Sequence, residues 1–199
     1  TDAFGIYFDD AAPLAGIPED SIAMFAAAAQ SEGKTGYKIG LQIPHYLAVI
    51  QYADNRELRE QIYRAYVTRA SELSDEGKFD NTANVEQTLA NALKTAKLLG
   101  FKTYAELSLA TKMADTPEQV LNFLHDLARR AKPFAEKDFA EIKAFARESL
   151  NIEDPQSWDL SYAAEKLRQA KYAFSEAEVK KYFPISKVLA GLFAQIKKL

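Results

Sequence analysis

The stretch from Thr82 to Leu150 carries the clearest hydrophobic period in the chain and constrains the fold more than any other feature. Val85, Leu89, Ala92, Leu93, Ala96 and Leu99 recur at the spacing that puts side chains on one face of an α-helix, with Glu86, Gln87, Asn91, Lys94 and Lys97 outside it. Gly100 ends the pattern, because glycine takes the left-handed conformation of a C-cap without a side-chain clash. A longer stripe opens at Thr116-Pro117-Glu118-Gln119, with a capping threonine, proline at the first helical position and a glutamine placed to reach back. Val120, Leu124, Leu127, Ala131, Ala135, Phe139, Ile142 and Ala146 carry the stripe towards Leu150. It keeps its phase across Pro133, which predicts one helix kinked at the proline rather than two. The rest of the chain is expected to pack against this pair of helices. Leu127 lies central in the stripe, so Leu127→Asp is expected to cost several kcal/mol, whereas Lys94→Ala on the outer face costs about 0.5 kcal/mol or less.

The 199 residues are 48% hydrophobic, with twelve Phe and ten Tyr against eight Gly and seven Pro. That balance argues for dense packing with few irregular loops, hence a mainly α, irregular multi-helix fold with at most a short strand pair. The formal net charge of -3 comes from interspersed charges and leaves no footprint for nucleic acid or an anionic membrane. The absence of cysteine removes disulfides, thiolate catalysis and cysteine zinc sites, and fits a cytoplasmic setting. No apolar run approaches the roughly 20 residues that span a bilayer. Thr1-Asp2-Ala3-Phe4 lacks the regions of a secretory signal. The chain starts inside one amphipathic pattern and ends inside another at Leu192, Phe193, Ile196 and Leu199. Residues 1–199 are therefore expected to be a single helical segment of a longer polypeptide, truncated at both ends.

Along the chain, residues 2–11 read as a short helix carrying Phe4, Ile6, Tyr7 and Phe8, and a second helix runs from Pro18 to Gly33. Tyr37, Ile39, Leu41 and Ile43 alternate as in a strand. The strand needs a partner, either the stretch from Ala3 to Phe8 or one outside this chain. Pro44 opens a helix through Ile50, and Asp54-Asn55-Arg56-Glu57 reads as a capping box for the next, which carries Leu58, Ile62, Ala65, Tyr66 and Arg69. Ser74 to Asn81 is a surface loop. Ser157 caps a helix holding Trp158, Leu160, Tyr162 and Leu167, Ser175-Glu176-Ala177-Glu178 is another capping box, and a last helix starts near Ser186 after Phe183-Pro184. No period of repeat length recurs, which argues against a solenoid.

The residues themselves offer little chemistry. His45 and His125 both lack the neighbouring glutamate and second histidine that would place two zinc ligands and a base on one helical face, so both read as structural. Asp9-Asp10 and the pair Glu136 and Asp138 read as solvated carboxylates. No serine stands in a nucleophile elbow, and Gly33, Gly36 and Gly40 have the wrong spacing for a dinucleotide loop. Arg129-Arg130-Lys132, Lys180-Lys181 and Lys197-Lys198 read as solubilising surface. Tyr63, Tyr66, Tyr104 and Tyr162 read as half-buried core with wet hydroxyls.

Four separated stretches carry a resemblance. Leu98-Leu99-Gly100-Phe101-Lys102-Thr103-Tyr104-Ala105-Glu106-Leu107-Ser108-Leu109-Ala110-Thr111-Lys112-Met113-Ala114 resembles the thimet-oligopeptidase-like family of zinc metallopeptidases, in particular its bacterial oligopeptidase branch. Ile43-Pro44-His45-Tyr46-Leu47, the run from Leu58 to Ala70, and Trp158-Asp159 through Tyr182-Phe183-Pro184 to Gly191-Leu192-Phe193 agree in order. The resemblance implies a cytoplasmic parent enzyme that hydrolyses short peptides in a channel between two largely helical halves. It also implies zinc held by a His-Glu-x-x-His helix and a downstream glutamate, the motif glutamate polarising the attacking water. None of that motif occurs here, so no catalytic or metal role passes to any residue of this chain and its substrate-binding residues are unknown. The chain alone is expected to hold no cofactor and to be inactive. It would serve as channel wall and scaffold, partnered by the C-terminal catalytic part of the same polypeptide. The competing reading is a standalone helical module that binds peptide or protein without catalysis.

Overall fold

The computed structural model describes residues 4–74, 77–173 and 179–198. Contacts divide the chain into two compact units, Thr1–Tyr63 with Ile142–Leu199 and Arg64–Glu141. Both boundaries fall inside helices, which explains why no linker marks them in the sequence.

The first unit opens with a strand, β1 (Ile6–Phe8), where the sequence favoured a helix. It pairs antiparallel with β2 (Tyr37–Ile39), in the register Ile6 with Ile39, Tyr7 with Lys38 and Phe8 with Tyr37. The partner anticipated in the Ala3 to Phe8 stretch is therefore the one used. Helical propensity loses here because Gly5 precedes a β-branched and aromatic triplet, and Asp10 then turns the chain by accepting the Ala12 N–H at 2.9 Å. Gly36 lets β2 approach: it sits at φ +82°, and a Cβ there would lie 2.2 Å from the Phe8 carbonyl oxygen.

Helix α1 (Glu19–Gln30) packs on β2 and on α2 (Ile43–Tyr52), which carries Pro44 in its first turn. Helix α3 (Arg56–Val67) follows at once. Its cap is Asn55, whose Oδ1 accepts the Leu58 N–H at 3.0 Å, one residue later than the expected box. The core of this unit includes Leu14, Phe25, Ala29, Ile39, Val49, Ala53, Ile62 and Ala163, each with no exposed surface.

In the second unit α4 (Thr82–Leu98) ends at Gly100 with φ +84°, as its sequence predicts. Phe101 N–H folds back onto the Ala96 carbonyl at 2.9 Å. Helix α5 (Tyr104–Leu109) packs on α4 and is closed by a reciprocal box between Thr103 and Glu106. Helix α6 (Pro117–Leu150) runs unbroken through Pro133. Thr116 Oγ1 accepts the Gln119 N–H at 3.2 Å, and Gln119 Oε1 reaches one residue further back than expected, to the Asp115 N–H at 2.8 Å.

Helices α4 and α6 have the predicted limits but not the predicted burial. Leu89 is 66% exposed and Leu127 is 52% exposed, and among the described residues of this unit only Ala96 is buried. The burial expected of this stripe is not met, because periodicity fixes which side chains share a face and not whether anything covers it. Helix α7 (Ser157–Tyr172) returns to the first unit, packs on α2, and is capped from Gln156 rather than Ser157. Helix α8 (Ile185–Ile196) begins after Pro184, with Leu192 and Phe193 exposed. The capping box expected at Ser175–Glu178 lies outside the described residues.

Candidate functional site

The densest polar constellation joins the start of α3 to the start of α7. Helical spacing puts Arg59 on the same face as Leu58 and Ile62, so a cation enters the core with them, and it is 1% exposed. Its Nη2 donates to Asp159 Oδ1 at 2.8 Å, and its Nη1 donates to the Ala53 carbonyl at 2.7 Å. The guanidinium lies 4.0 Å from the centre of the Tyr162 ring, the geometry of a cation–π contact. Asp159 has no exposed surface and also accepts from Arg56 Nη2 at 2.8 Å and from the Gln156 N–H at 3.0 Å. Burial pushes the Asp159 carboxyl up, but the Arg56 and Arg59 hydrogen bonds outweigh it and hold it below the usual carboxylate range.

The network continues outward. Tyr162 Oη donates to Asp54 Oδ1 at 2.8 Å, and Lys166 Nζ lies 3.2 Å from the same oxygen. Burial, then the Asp54 contact, pushes the Tyr162 phenol up to about 12. Burial also works to raise Asp54, yet the Tyr162 and Lys166 hydrogen bonds leave it lowered. The Asp159 and Asp54 carboxyls are thus held ionised and the Tyr162 phenol protonated, so none of these three is poised to move a proton near neutrality. What it does is tie the turn before α3 to α7. The sequence signal for it was Arg59 on an apolar face, a charge where only a partnered charge is tolerated.

His45 is buried, with its ring 5.0 Å from that of Phe25 and its Nδ1 accepting the Gly40 N–H at 3.0 Å. Burial, assisted by the nearby Lys38, holds its pKa below the ordinary value, so the ring is neutral. His125 is exposed on α6. Asp9, Glu136 and Asp138 are exposed, and Glu136 faces Lys132 at 3.7 Å. Arg129 and Arg130 pair with Asp126 on their own helix, and Lys180 lies 3.4 Å from Asp20. Of the four tyrosines, Tyr162 is buried and hydrogen-bonded, Tyr63 packs against Trp158 with ring centres 5.9 Å apart, Tyr66 underlies Arg69, and Tyr104 is exposed. None of these candidates is brought together with another into a reactive group.

The donor set does not fit a zinc ion. The chain has two histidines and no cysteine, and among the described residues no three potential ligands converge. No helix among the described residues is long and apolar enough to cross a membrane.

Comparison with known proteins places this scaffold. The family model described as Peptidase family M3 matches residues 49–199. Oligopeptidase A of Salmonella typhimurium is 47% identical over 191 residues, which is 96% of this chain and 28% of that protein. Oligopeptidase A of Escherichia coli is 46% identical over the same shares. A protein of Arabidopsis thaliana named probable cytosolic oligopeptidase A is 39% identical over 208 residues, covering 100% of this chain and 29% of its own length. The chain thus spans little more than a quarter of the length of the relatives it matches, and across that span it belongs to Peptidase family M3.

Proposed function

We propose that this chain is an internal scaffold and channel-wall segment of a cytoplasmic zinc oligopeptidase that hydrolyses short peptides, and that by itself it neither binds zinc stoichiometrically nor cleaves peptide bonds. The observation that carries this reading is the pairing of near-complete coverage of this chain with coverage of only 28% of Oligopeptidase A. The name of the cytosolic Arabidopsis relative supports the compartment. The exposed apolar stripes of α4 and α6 support a segment whose burial is completed by further polypeptide, in this proposal the catalytic part. Zinc, when held by such a parent, would supply Lewis-acid activation of water. This chain's own contribution is positional, since the buried Arg56–Asp159–Arg59 network fixes α3 against α7.

Two measurements test the reading. The reading frame following the Leu199 codon is expected to continue into a His-Glu-x-x-His motif, and a stop codon there would favour the standalone module instead. Titration calorimetry with zinc and a quenched fluorescent peptide assay, with and without chelator, are expected to give no tight site and no turnover. Chelator-sensitive cleavage that copurifies with this chain would overturn the proposal.

A further inference from the structure

A pocket of about 240 Å³ opens between the end of α1, β2 and the start of α2. His45 and Gln42 line it from α2, Lys38 from β2 and Glu32 from the turn after α1, with Phe4 and Ala28 supplying apolar wall. The volume lies below the roughly 300 Å³ at which drug-sized ligands begin, so its occupant is small.

Three features of the pocket select the charge of that occupant. His45 is 6% exposed, and because its Nδ1 accepts the Gly40 N–H, the ring proton sits on Nε2. The hydrogen bond of this side chain to the described residues is made through Nδ1, so a buried histidine that lines the pocket has its Nε2–H left over for a ligand. Helix α2 starts at the same place without a side-chain cap, so the partial positive charge of its N-terminus is unanswered there. Lys38 is 14% exposed along its side chain and pairs with Glu32. Glu32 is shared: Tyr7 Oη donates to it at 2.7 Å and Lys34 Nζ lies 3.5 Å away. One carboxylate thus serves two ammonium groups, Lys38 in the pocket lining and Lys34 outside it, and the three together carry a single positive charge beside the pocket. A monoanion matches that charge better than a phosphate dianion.

We infer that this pocket binds a carboxylate borne on a small apolar body. The carboxylate meets His45 Nε2–H and the Lys38 ammonium, and the apolar part lies against Phe4 and Ala28. Neither the geometry nor the charge count depends on the peptidase reading. The same chemistry is presented by a free short-chain acid and by the C-terminal residue of a peptide.

Calorimetric titration of the chain at neutral pH with N-acetyl-leucine, N-acetyl-leucinamide and the tripeptide Ala-Ala-Leu tests the inference. The acid is expected to bind at one saturable site, at least tenfold tighter than the amide. K38M and H45F are each expected to weaken the acid at least tenfold, while K180M, away from this pocket, leaves it unchanged. Because H45F also removes the Gly40 contact, the wild-type imidazole signals are followed by NMR, where the Nε2–H is expected to shift with the acid and not with the amide. If the tripeptide matches or exceeds N-acetyl-leucine, the site reads a peptide C-terminus; if it fails while the small acid binds, the site takes the free acid. Equal affinity for acid and amide, or no saturation at tens of millimolar in the folded wild-type chain, would overturn the site.

Discussion

Both units of this chain are built largely from helices, and they differ in how far the apolar side chains of those helices are buried. In the unit of residues 1–63 and 142–199, short elements of mixed kind enclose Phe25, Ile39, Val49 and Ile62 without exposed surface, and even Arg59 and Asp159 are drawn in. In the unit of residues 64–141, longer and better-patterned helices leave Leu89, Phe123 and Leu127 at least half exposed. Helix formation is a local matter of spacing and caps, whereas burial needs several elements to converge. Stability in this chain is therefore expected to reside in the first unit.

The largest effect should come from Asp159. Replacing it with alanine strands Arg59 in the core, and breaking a buried pair from one side costs about 3–5 kcal/mol. Urea unfolding followed by far-UV circular dichroism measures this, and a loss below about 1 kcal/mol would mean that the network does not hold α3 to α7. Phe25→Ala comes next at about 3 kcal/mol, the lower end for a fully buried phenylalanine. Phe123→Ala, at 66% exposure in the other unit, should change stability by about 0.5 kcal/mol or less. Similar losses for the two phenylalanines would erase the contrast between the units.

A smaller and graded effect separates the units by pH. Burial keeps His45 neutral in the folded chain, while the unfolded chain takes up a proton as pH falls below 6.5. Its contribution is thus complete above 6.5, declines as pH drops below that value, and levels off beneath the lower folded pKa. Asp159 adds a second loss in stronger acid, since its lowered carboxyl stabilises above 3.8 and ceases to do so as pH falls through the folded value. The urea midpoint of the wild-type chain is expected to fall when pH is lowered through 6.5, and that of His45→Phe to stay level over the same interval. A wild-type midpoint that does not move would show His45 to be solvated.

How much of this was legible in the sequence follows the same division. Gly100, Thr116-Pro117 and the phase across Pro133 located α4 and α6, because caps and spacing act within a few residues. β1 was harder to read, because a three-residue strand exists only through a partner some thirty positions away, reached by a chain reversal that Gly36 permits. The Arg56–Asp159–Arg59 network joins positions separated by about a hundred residues, and no spacing rule reaches that far. Its trace was Arg59 among apolar neighbours, a local conflict that the fold resolves with a buried carboxylate. His45 was recognised as structural, but its free Nε2–H depends on the Gly40 N–H taking the other nitrogen, which only the three-dimensional arrangement reveals.

The smallest expected effects fall on the stripe that dominates the sequence. Had Leu127 been buried as its central position suggests, Leu127→Asp would place an unpaired carboxylate in the core at a cost of several kcal/mol. At 52% exposure, the aspartate keeps its water, and the loss in this chain should not exceed about 1 kcal/mol, mostly from lower helix propensity. Lys94→Ala, also exposed, should stay within about 0.5 kcal/mol. The informative comparison is the same Leu127→Asp substitution made in a longer polypeptide of the kind proposed above. If further chain covers the stripe, the carboxylate is desolvated there and the cost rises to several kcal/mol while Lys94→Ala stays small. Equal costs for Leu127→Asp in both settings would mean that the stripe faces water in the parent as well, and would remove the exposed face as support for the segment reading.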